Sequence, residues 1–155
     1  MNGAELAFID TNIVIYSVDV ADPAKQRTAQ LLQDRLLAQH QGVVSTQVIQ
    51  EFLNACLRKL QPCLTPADAL DIAERILWPI CKVSPSYALH HRAMALHQRF
   101  GFSFYDSLIV AAALQAGCTR LYSEDLQHGQ QIERLTIVNP FLPDAPVAPR
   151  KRRRP

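Results

Sequence analysis

Four acidic residues in this 155-residue chain constrain its fold. Each lies at or just after the end of a different short apolar segment or capping motif. They are Asp10 in FIDTN, Glu51 in STQVIQEF, Asp106 in FSFYDSLI and Asp125 in LYSEDLQHG. Three of these contexts are typical of the turn from a buried strand into a helix, or of the first turns of that helix. In an open α/β sheet such positions gather at one edge, where ligands bind.

Carboxylates that share one sheet edge repel each other. At ~5 Å and an effective dielectric constant of ~20, each pair costs roughly 3 kcal/mol. A hard cation removes this cost, because carboxylate oxygens are its preferred ligands. The sequence therefore predicts a site for Mg²⁺, with Mn²⁺ as the alternative ion.

Apolar periodicity and turn residues predict an alternation of strands and helices. Strands are expected at residues 6–9, 43–45, 81–83, 119–122 and 135–138. Helices are expected at about 13–18, 23–40, 46–60, 65–77, 86–100 and 103–116, with a short helical turn at 123–131. This order predicts an α/β fold with a mostly parallel sheet of four to five strands.

Cap residues mark several predicted helix ends. The expected N-terminal caps are Thr11 or Asn12, Asp22 before Pro23, Thr46, Thr65 with Asp68, and Ser103 with Asp106. Glycines are expected to end three of the helices, at Gly42, Gly101 and Gly117.

Size and composition favour one ordinary domain. Hydrophobic residues make up 48% of the chain, and the longest apolar run, residues 108–114, is too short to span a bilayer. The first ten residues have no basic segment followed by an apolar one, so no signal peptide is expected. We therefore expect a soluble cytoplasmic protein without a membrane segment.

The cysteines and histidines do not form a recognisable zinc motif. The cysteines at positions 56, 63, 81 and 118 contain no C-x-x-C pair, and no two histidines of the predicted helix at 86–100 are spaced i,i+4. We expect the cysteines to be reduced thiols, most of them buried.

The C-terminal segment differs in composition from the rest of the chain. Residues 143–155 contain four prolines and the basic run Arg-Lys-Arg-Arg-Arg. Without these five positive charges, the net charge of +2 falls to −3. We expect a single domain at residues 1–142 and a flexible basic tail at 143–155, either solvated or attracted to nucleic acid without specificity.

Each acidic residue also has a structural interpretation. Asp10 could form an Asx-turn or a cap, and Asp106 fits a capping box with Ser103. Glu51 falls opposite the apolar stripe of its helix and so faces either solvent or a cleft. Glu124 could replace its neighbour Asp125 as the last acid of the set.

At these motifs the chain resembles the PIN-domain ribonucleases, in particular the VapC-type toxins of bacterial toxin–antitoxin pairs. The resemblance covers about residues 6–140. It is carried by four motifs in order, namely the opening FIDTNIVIY, the segment STQVIQE, the aromatic-Asp helix start FSFYD, and the last acidic motif LYSEDLQHG.

The resemblance implies a three-layer α/β/α fold and RNA cleavage that depends on Mg²⁺ or Mn²⁺. It places Asp10, Glu51, Asp106 and Asp125 at the family's acidic positions. The supporting polar residues would be Thr11, Asn12, Ser123 and Glu124. It also implies an RNA substrate, a cognate antitoxin protein as partner, and a homodimer.

The residues alone leave other functions open. Candidate phosphate-binding cations are Arg58, Lys59, Arg92 and Arg99, although solvated helix faces explain them equally well. The aromatic side chains near the predicted site, Phe102, Phe104 and Tyr105, are expected to pack in the core rather than to stack on bases.

Three alternative classes of function are compatible with parts of the pattern. A DNA nuclease would use the same acidic chemistry, and an inactive fold would act through protein contacts alone. A receiver-like module would also carry an acid after the first strand. Against that module, no lysine follows the last predicted strand, which is followed by Asn139-Pro140.

Overall fold

The structure of the protein is a computed structural model that describes residues 5–60 and 64–143. Strands and helices alternate along the chain as predicted. The strands are β1 Ala7–Ile9, β2 Gly42–Ser45, β3 Cys81–Val83, β4 Arg120–Tyr122, β5 Gln131–Ile132 and β6 Leu135–Val138. The α-helices are α1 Thr11–Val18, α2 Pro23–Ala38, α3 Thr46–Arg58, α4 Pro66–Ile72, α5 Tyr87–Phe100 and α6 Phe104–Gln115.

The strands form one mixed sheet in the order β3-β2-β1-β4-β6-β5. All neighbouring pairs are parallel except β5 and β6, which are antiparallel. The chain leaves β1 toward β2 and β3, and later returns to place β4 on the other side of β1. This reversal makes the edge beside β1 and β4 the topological switch point of the sheet, where open α/β folds bind ligands.

The helices form two layers that cover the sheet. Parallel crossovers are right-handed, so the reversal at β1 places α1 to α4 on one face and α5 and α6 on the other. Contacts agree with this arrangement, since α1 packs against α2 and α3 while α5 packs against α6. The predicted three-layer α/β/α architecture is confirmed. Side chains such as Phe8, Phe52 and Leu121 are fully buried in the core between the layers.

The segment after β4 differs from the prediction. The short helical turn expected at 123–131 is wrong: the chain forms bends and a turn, and then the short strand β5. The sheet therefore has six strands instead of four to five. Ser123 explains part of the difference, because its hydroxyl accepts a hydrogen bond from the Asp125 N–H, 3.3 Å away, and so holds the local chain in a bend.

Several helix ends follow the predicted signals. The capping box of Thr65 and Asp68 is present, Asp22 caps α2 before Pro23, and Ser103 accepts from the Asp106 N–H. Gly101 adopts a left-handed conformation at the end of α5, with φ of 75°.

Three predictions of the residue that caps or ends a helix are wrong. The N-cap of α1 is Asp10 rather than Thr11 or Asn12, and its carboxylate accepts from the Thr11 N–H. The N-cap of α3 is Ser45, so Thr46 is already inside that helix. After α2 the left-handed residue is His40, with φ of 55°, and Gly42 instead begins β2.

The predicted helix at 65–77 is α-helical only as far as Ile72. It continues as a π-helical turn, Ala73–Leu77, and then a 3-10 turn, Trp78–Ile80. Pro79 explains the change, because its ring lacks an N–H and clashes with the carbonyl of the preceding turn. The irregular segment leads directly into β3.

The thiols that the structure describes are free, as predicted. Cys56 and Cys118 are buried and Cys81 is partly buried, while Cys63 lies outside the described residues. Of the predicted tail, only Pro143 is described, so the prediction of a flexible tail lies outside the described residues. Within residues 5–60 and 64–143, no helix combines the length and apolar character needed to cross a bilayer.

Candidate active site

Two residues that follow adjacent parallel strands meet at the edge of the sheet. Ile9 of β1 pairs with Tyr122 of β4, so the next residues, Asp10 and Ser123, lie side by side. The Asp10 N–H donates to the Tyr122 carbonyl, 3.0 Å away, and the Ser123 hydroxyl donates to Asp10 Oδ2 at 2.7 Å. Strand register therefore fixes the position of the Asp10 carboxylate.

The Asp10 carboxylate is buried, with 5% of the residue exposed. Burial raises its pKa from 3.8 to about 7, although hydrogen bonds from Ser123 and the Thr11 N–H oppose this change. The negative charges of Glu51 and Asp125 raise the pKa further. The fold thus holds a carboxylate where its charged form is unfavourable unless a positive charge is nearby.

Asn12 links the first helix to the loop after β4. Its side-chain amide donates to Asp125 Oδ2 at 3.0 Å, and it lies 3.4 Å from Asp10 Oδ2 and 3.5 Å from Ser123 Oγ. Its carbonyl oxygen accepts from the Glu124 N–H at 3.3 Å. Asn12 therefore sets the spacing between the carboxylates of Asp10 and Asp125.

The other two acids come from helices on opposite faces of the sheet. Glu51 lies on α3, and Asp106 lies in the first turn of α6. Gln47, one turn before Glu51, donates to Glu51 Oε1 at 2.8 Å and to the Tyr105 carbonyl at 3.2 Å. This one side chain joins the two helices and orients Glu51 toward Asp106.

Glu51 lies at the exposed rim of this group, but neighbouring atoms still displace water from its carboxylate. The resulting desolvation raises its pKa, and the charges of Asp106 and Asp125 act in the same direction. The Thr11 hydroxyl lies close enough to favour the charged form, although it makes no hydrogen bond of normal geometry.

All four predicted acids line one pocket of about 230 Å³, which we call the acidic pocket. Its lining residues are Asp10, Thr11, Asn12, Ile15, Gln47, Glu51, Lys59, Tyr105, Asp106, Ile109 and Asp125. Among the described residues that line the pocket, four carry carboxylates and one, Lys59, carries a positive charge. The excess negative charge makes the acidic pocket a site for cations.

The carboxylate oxygens of the acidic pocket are suitable ligands for a hard divalent cation. In the part of the chain that the structure describes, no three acidic, histidine or cysteine side chains converge closely enough to enclose one ion. Mg²⁺ fits such an open arrangement, because it usually retains several water molecules and binds only one or two carboxylates directly. The residues present therefore fit a hydrated Mg²⁺ or Mn²⁺ ion.

The side chains of the two adjacent acids after β4, Glu124 and Asp125, have different neighbours. Asp125 lines the acidic pocket, whereas Glu124 forms an ion pair with Lys25 of α2. The Lys25 ammonium also lies 4.7 Å from the ring centre of Tyr16. Glu124 therefore anchors the loop to α2 and does not line the acidic pocket, although its N–H donates to Asn12.

The candidate phosphate-binding cations and the nearby aromatic residues also lie in different surroundings. Lys59 lines the acidic pocket, but Arg92 pairs with Glu133, and Arg99 stacks over Phe100. Phe102 is partly buried against the core, as expected.

The expectation of core packing is wrong for two aromatic residues. Phe104 is 41% exposed and Tyr105 is 66% exposed. They occupy the first turn of α6, which begins at the protein surface before the helix enters the core. Gln47 was not predicted as a site residue, although its i,i+4 spacing from Glu51 is a signal that could have identified it.

The family model of the PIN domain matches residues 7–131, which is most of the chain. The protein belongs to the PIN domain family. The resemblance inferred from the four acidic motifs is therefore confirmed, and the matched region contains all four acids of the pocket.

Known relatives extend this assignment. The chain is 30% identical to "Ribonuclease VapC23" of Mycobacterium tuberculosis over an alignment of 127 residues. This alignment covers 77% of this chain and 93% of the relative. The fold is similar to that of M. tuberculosis VapC20, a Sarcin-Ricin loop cleaving toxin, with a TM-score of 0.57 and 20% identity over 76% of this chain and 88% of that one.

A further similar fold belongs to a toxin–antitoxin complex from Klebsiella pneumoniae. The TM-score is 0.62 and the identity is 19%, over 87% of this chain and 98% of the other. At these identities the two solved structures support the fold of this PIN domain.

Proposed function

We propose that this PIN domain is an endoribonuclease that cleaves RNA phosphodiester bonds with Mg²⁺ or Mn²⁺. The observation that carries the proposal is the acidic pocket, in which four elements of the fold each contribute one carboxylate. The similarity to a ribonuclease along 93% of that relative's length supports RNA as the substrate.

The acidic residues have distinct positions in the proposed site. Asp10, Asp106 and Asp125 would hold the hydrated cation, one or two of them directly and the rest through its water molecules, and Glu51 would complete the site as a ligand or orient the attacking water. When bound, a divalent cation lowers the pKa of water and stabilises negative charge that develops on the phosphate. Ser123 and Asn12 hold Asp10 and Asp125 in place through the hydrogen bonds described above.

Lys59 would contact the substrate phosphate. In residues 5–60 and 64–143, Lys59 is the one basic residue that lines the acidic pocket, and it lies at the end of α3, beyond Glu51. RNA binding needs such local cations, because the carboxylates would otherwise repel the phosphates.

The chain would act as the toxin of a toxin–antitoxin pair in the cytoplasm. Solved structures with this fold include toxin–antitoxin complexes, which supports a cognate antitoxin protein as partner. A homodimer is part of the same proposal. Size-exclusion chromatography with light scattering, on the toxin alone and after coexpression with an antitoxin, would test both assemblies.

Cleavage of a mixed RNA pool by the purified protein tests the reaction. We expect cleavage with Mg²⁺ or Mn²⁺, and loss of cleavage with EDTA or in the Asp10→Asn variant. Single-stranded and duplex DNA serve as comparison substrates, and preferential DNA cleavage would favour the DNA nuclease alternative. Cleavage by Asp10→Asn at the wild-type rate would contradict the proposed site.

A further inference from the structure

A second cleft opens beside the acidic pocket and shares two of its lining residues, Gln47 and Tyr105. We call it the side cleft. It has a volume of about 250 Å³ and lies between the first turns of α3 and α6 and the segment after β3. Its lining includes Ser45, Gln47, Gln50, His90, Phe104 and Tyr105.

Aromatic rings that are open to solvent form one side of the side cleft. Phe104 and His90 are nearly parallel, with an interplanar angle of 23° and ring centres 6.4 Å apart. Tyr105 meets Phe104 edge to face at 5.4 Å. Exposed ring faces beside an apolar floor suit a flat aromatic ligand, since nucleobases stack on such side chains whatever their sequence.

One polar group at the side cleft, the Ser45 hydroxyl, lacks a partner among the described residues. Ser45 is 3% exposed, and its hydroxyl has no hydrogen-bond partner among residues 5–60 and 64–143. A buried hydroxyl without a partner is unfavourable, so a ligand that carries hydrogen-bonding groups would stabilise it. The Gln50 amide at the same cleft offers both a donor and an acceptor.

We propose that the side cleft binds one nucleobase of an RNA strand whose phosphate lies in the acidic pocket. This inference rests on the proposed function. The cleft is smaller than the pockets of about 300–1,000 Å³ that hold drug-sized ligands, so it matches a single base. Bases carry a stacking face together with edge donors and acceptors, which matches the rings, Ser45 and Gln50.

The placement of the side cleft would connect base recognition to the position of cleavage. Asp106, a pocket acid, directly follows Phe104 and Tyr105 in the first turn of α6. Gln47 contacts both Glu51 and the Tyr105 carbonyl, so the wall between the two cavities is fixed by hydrogen bonds. A base held by Phe104 would therefore select which phosphodiester reaches the carboxylates.

Binding measurements separate this proposal from the cleavage reaction. Fluorescence anisotropy with short single-stranded RNA would be measured for the Asp10→Asn protein, which leaves the RNA intact, with and without Phe104→Leu. Tyr87→Leu, at an aromatic residue of α5 that is 84% exposed and outside the cleft, is the matched control. We expect Phe104→Leu to weaken binding about 5- to 150-fold, as loss of base stacking does, and the control to leave it unchanged.

Cleavage mapping tests the selection of bases. Sequencing of the ends produced from a random RNA pool would show a base preference at a fixed distance from the cut, and Phe104→Leu and Gln50→Ala would relax it. Equal RNA binding and equal base preference for Phe104→Leu and Tyr87→Leu, with both proteins folded by circular dichroism, would overturn the proposal.

The experiments distinguish an error in the proposed reaction from an error in the proposed base site. RNA binding that depends on Phe104, in a wild-type protein that cleaves nothing, would refute the proposed reaction and support the base site. Unchanged RNA binding together with lost inhibition by an antitoxin in Phe104→Leu would assign the side cleft to a protein side chain and overturn the base site.

Discussion

Replacement of Asp10 by Asn should stabilise the metal-free protein at alkaline pH. Asp10 is buried beside two other carboxylates, and its pKa of about 7 lies far above its ordinary value of 3.8. Asn has nearly the same shape, so it can accept from the Thr11 N–H and donate to the Ser123 hydroxyl. It removes the buried charge, reverses the hydrogen bond with Ser123 and loses the 3.4 Å contact from Asn12.

The size of the effect follows from the two pKa values of Asp10. The folded state binds the proton more tightly than the unfolded state, so stability is highest below about pH 4 and falls as pH rises to about 7. At 1.36 kcal/mol for each pKa unit, the ionised carboxylate destabilises the fold by about 4 kcal/mol above pH 7. After a loss of about 1 kcal/mol for the Asn12 contact, a gain of about 3 kcal/mol remains.

Urea unfolding and thermal unfolding, each in EDTA at pH 8 and pH 5, measure this prediction. At pH 8, Asp10→Asn should be the more stable protein, with a melting temperature raised by roughly 6–12 °C for a domain of this size. At pH 5 the difference should fall to less than half. Asp34→Asn, at an exposed residue of α2, is the control and should show no such dependence.

Addition of Mg²⁺ at pH 8 completes the test, because a ligand that binds only the folded state raises stability. Wild type should gain stability and Asp10→Asn should gain little. The reasoning would be refuted if Asp10→Asn were no more stable than wild type at pH 8 in EDTA, since the buried charge would then carry no cost.

Four further substitutions test the site and the core. Asn12→Ala should slow RNA cleavage about 10- to 100-fold, because the hydrogen bond to the charged Asp125 is worth roughly 1.5–3 kcal/mol, and initial rates would measure this loss. Asp125→Asn should abolish cleavage, whereas Glu124→Gln should retain it and lose no more than about 1 kcal/mol of stability, since the Lys25 ion pair is partly solvated; equal loss in both variants would contradict the distinction between these acids. Phe52→Ala should destabilise the fold by about 3–5 kcal/mol in urea unfolding, because Phe52 is fully buried, and a loss below about 1 kcal/mol would contradict this placement.

Local sequence signals predicted most of the fold. Strong apolar periodicity located α3, and the cap residues Asp22, Thr65 and Ser103 located three helix starts because their side chains satisfy free backbone N–H groups. The failures occurred where tertiary contacts decide the backbone. Strand β5 has only two residues and depends on its pairing with β6, so no local pattern marks it.

The candidate site was predicted in composition but not in detail. Positions after β1 and β4 implied that acids would meet, and the structure brings all four into one pocket. The choice between Glu124 and Asp125 was not accessible, because it depends on Lys25, which lies about one hundred residues away in sequence. Exposure of Phe104 and Tyr105 was missed because burial of α6 begins only after its first turn.

In the proposed reaction, the two cavities would divide the requirements of RNA cleavage between them. Carboxylates and a divalent cation act on a phosphodiester, which is the same in every RNA, so the acidic pocket by itself offers no means to distinguish one sequence from another. Discrimination requires contacts to bases, and the side cleft beside the acidic pocket offers ring faces, the Ser45 hydroxyl and the Gln50 amide for such contacts. Because Asp106 and Phe104 share the rigid start of α6, selection of a base and placement of a phosphate would be set by the same local structure.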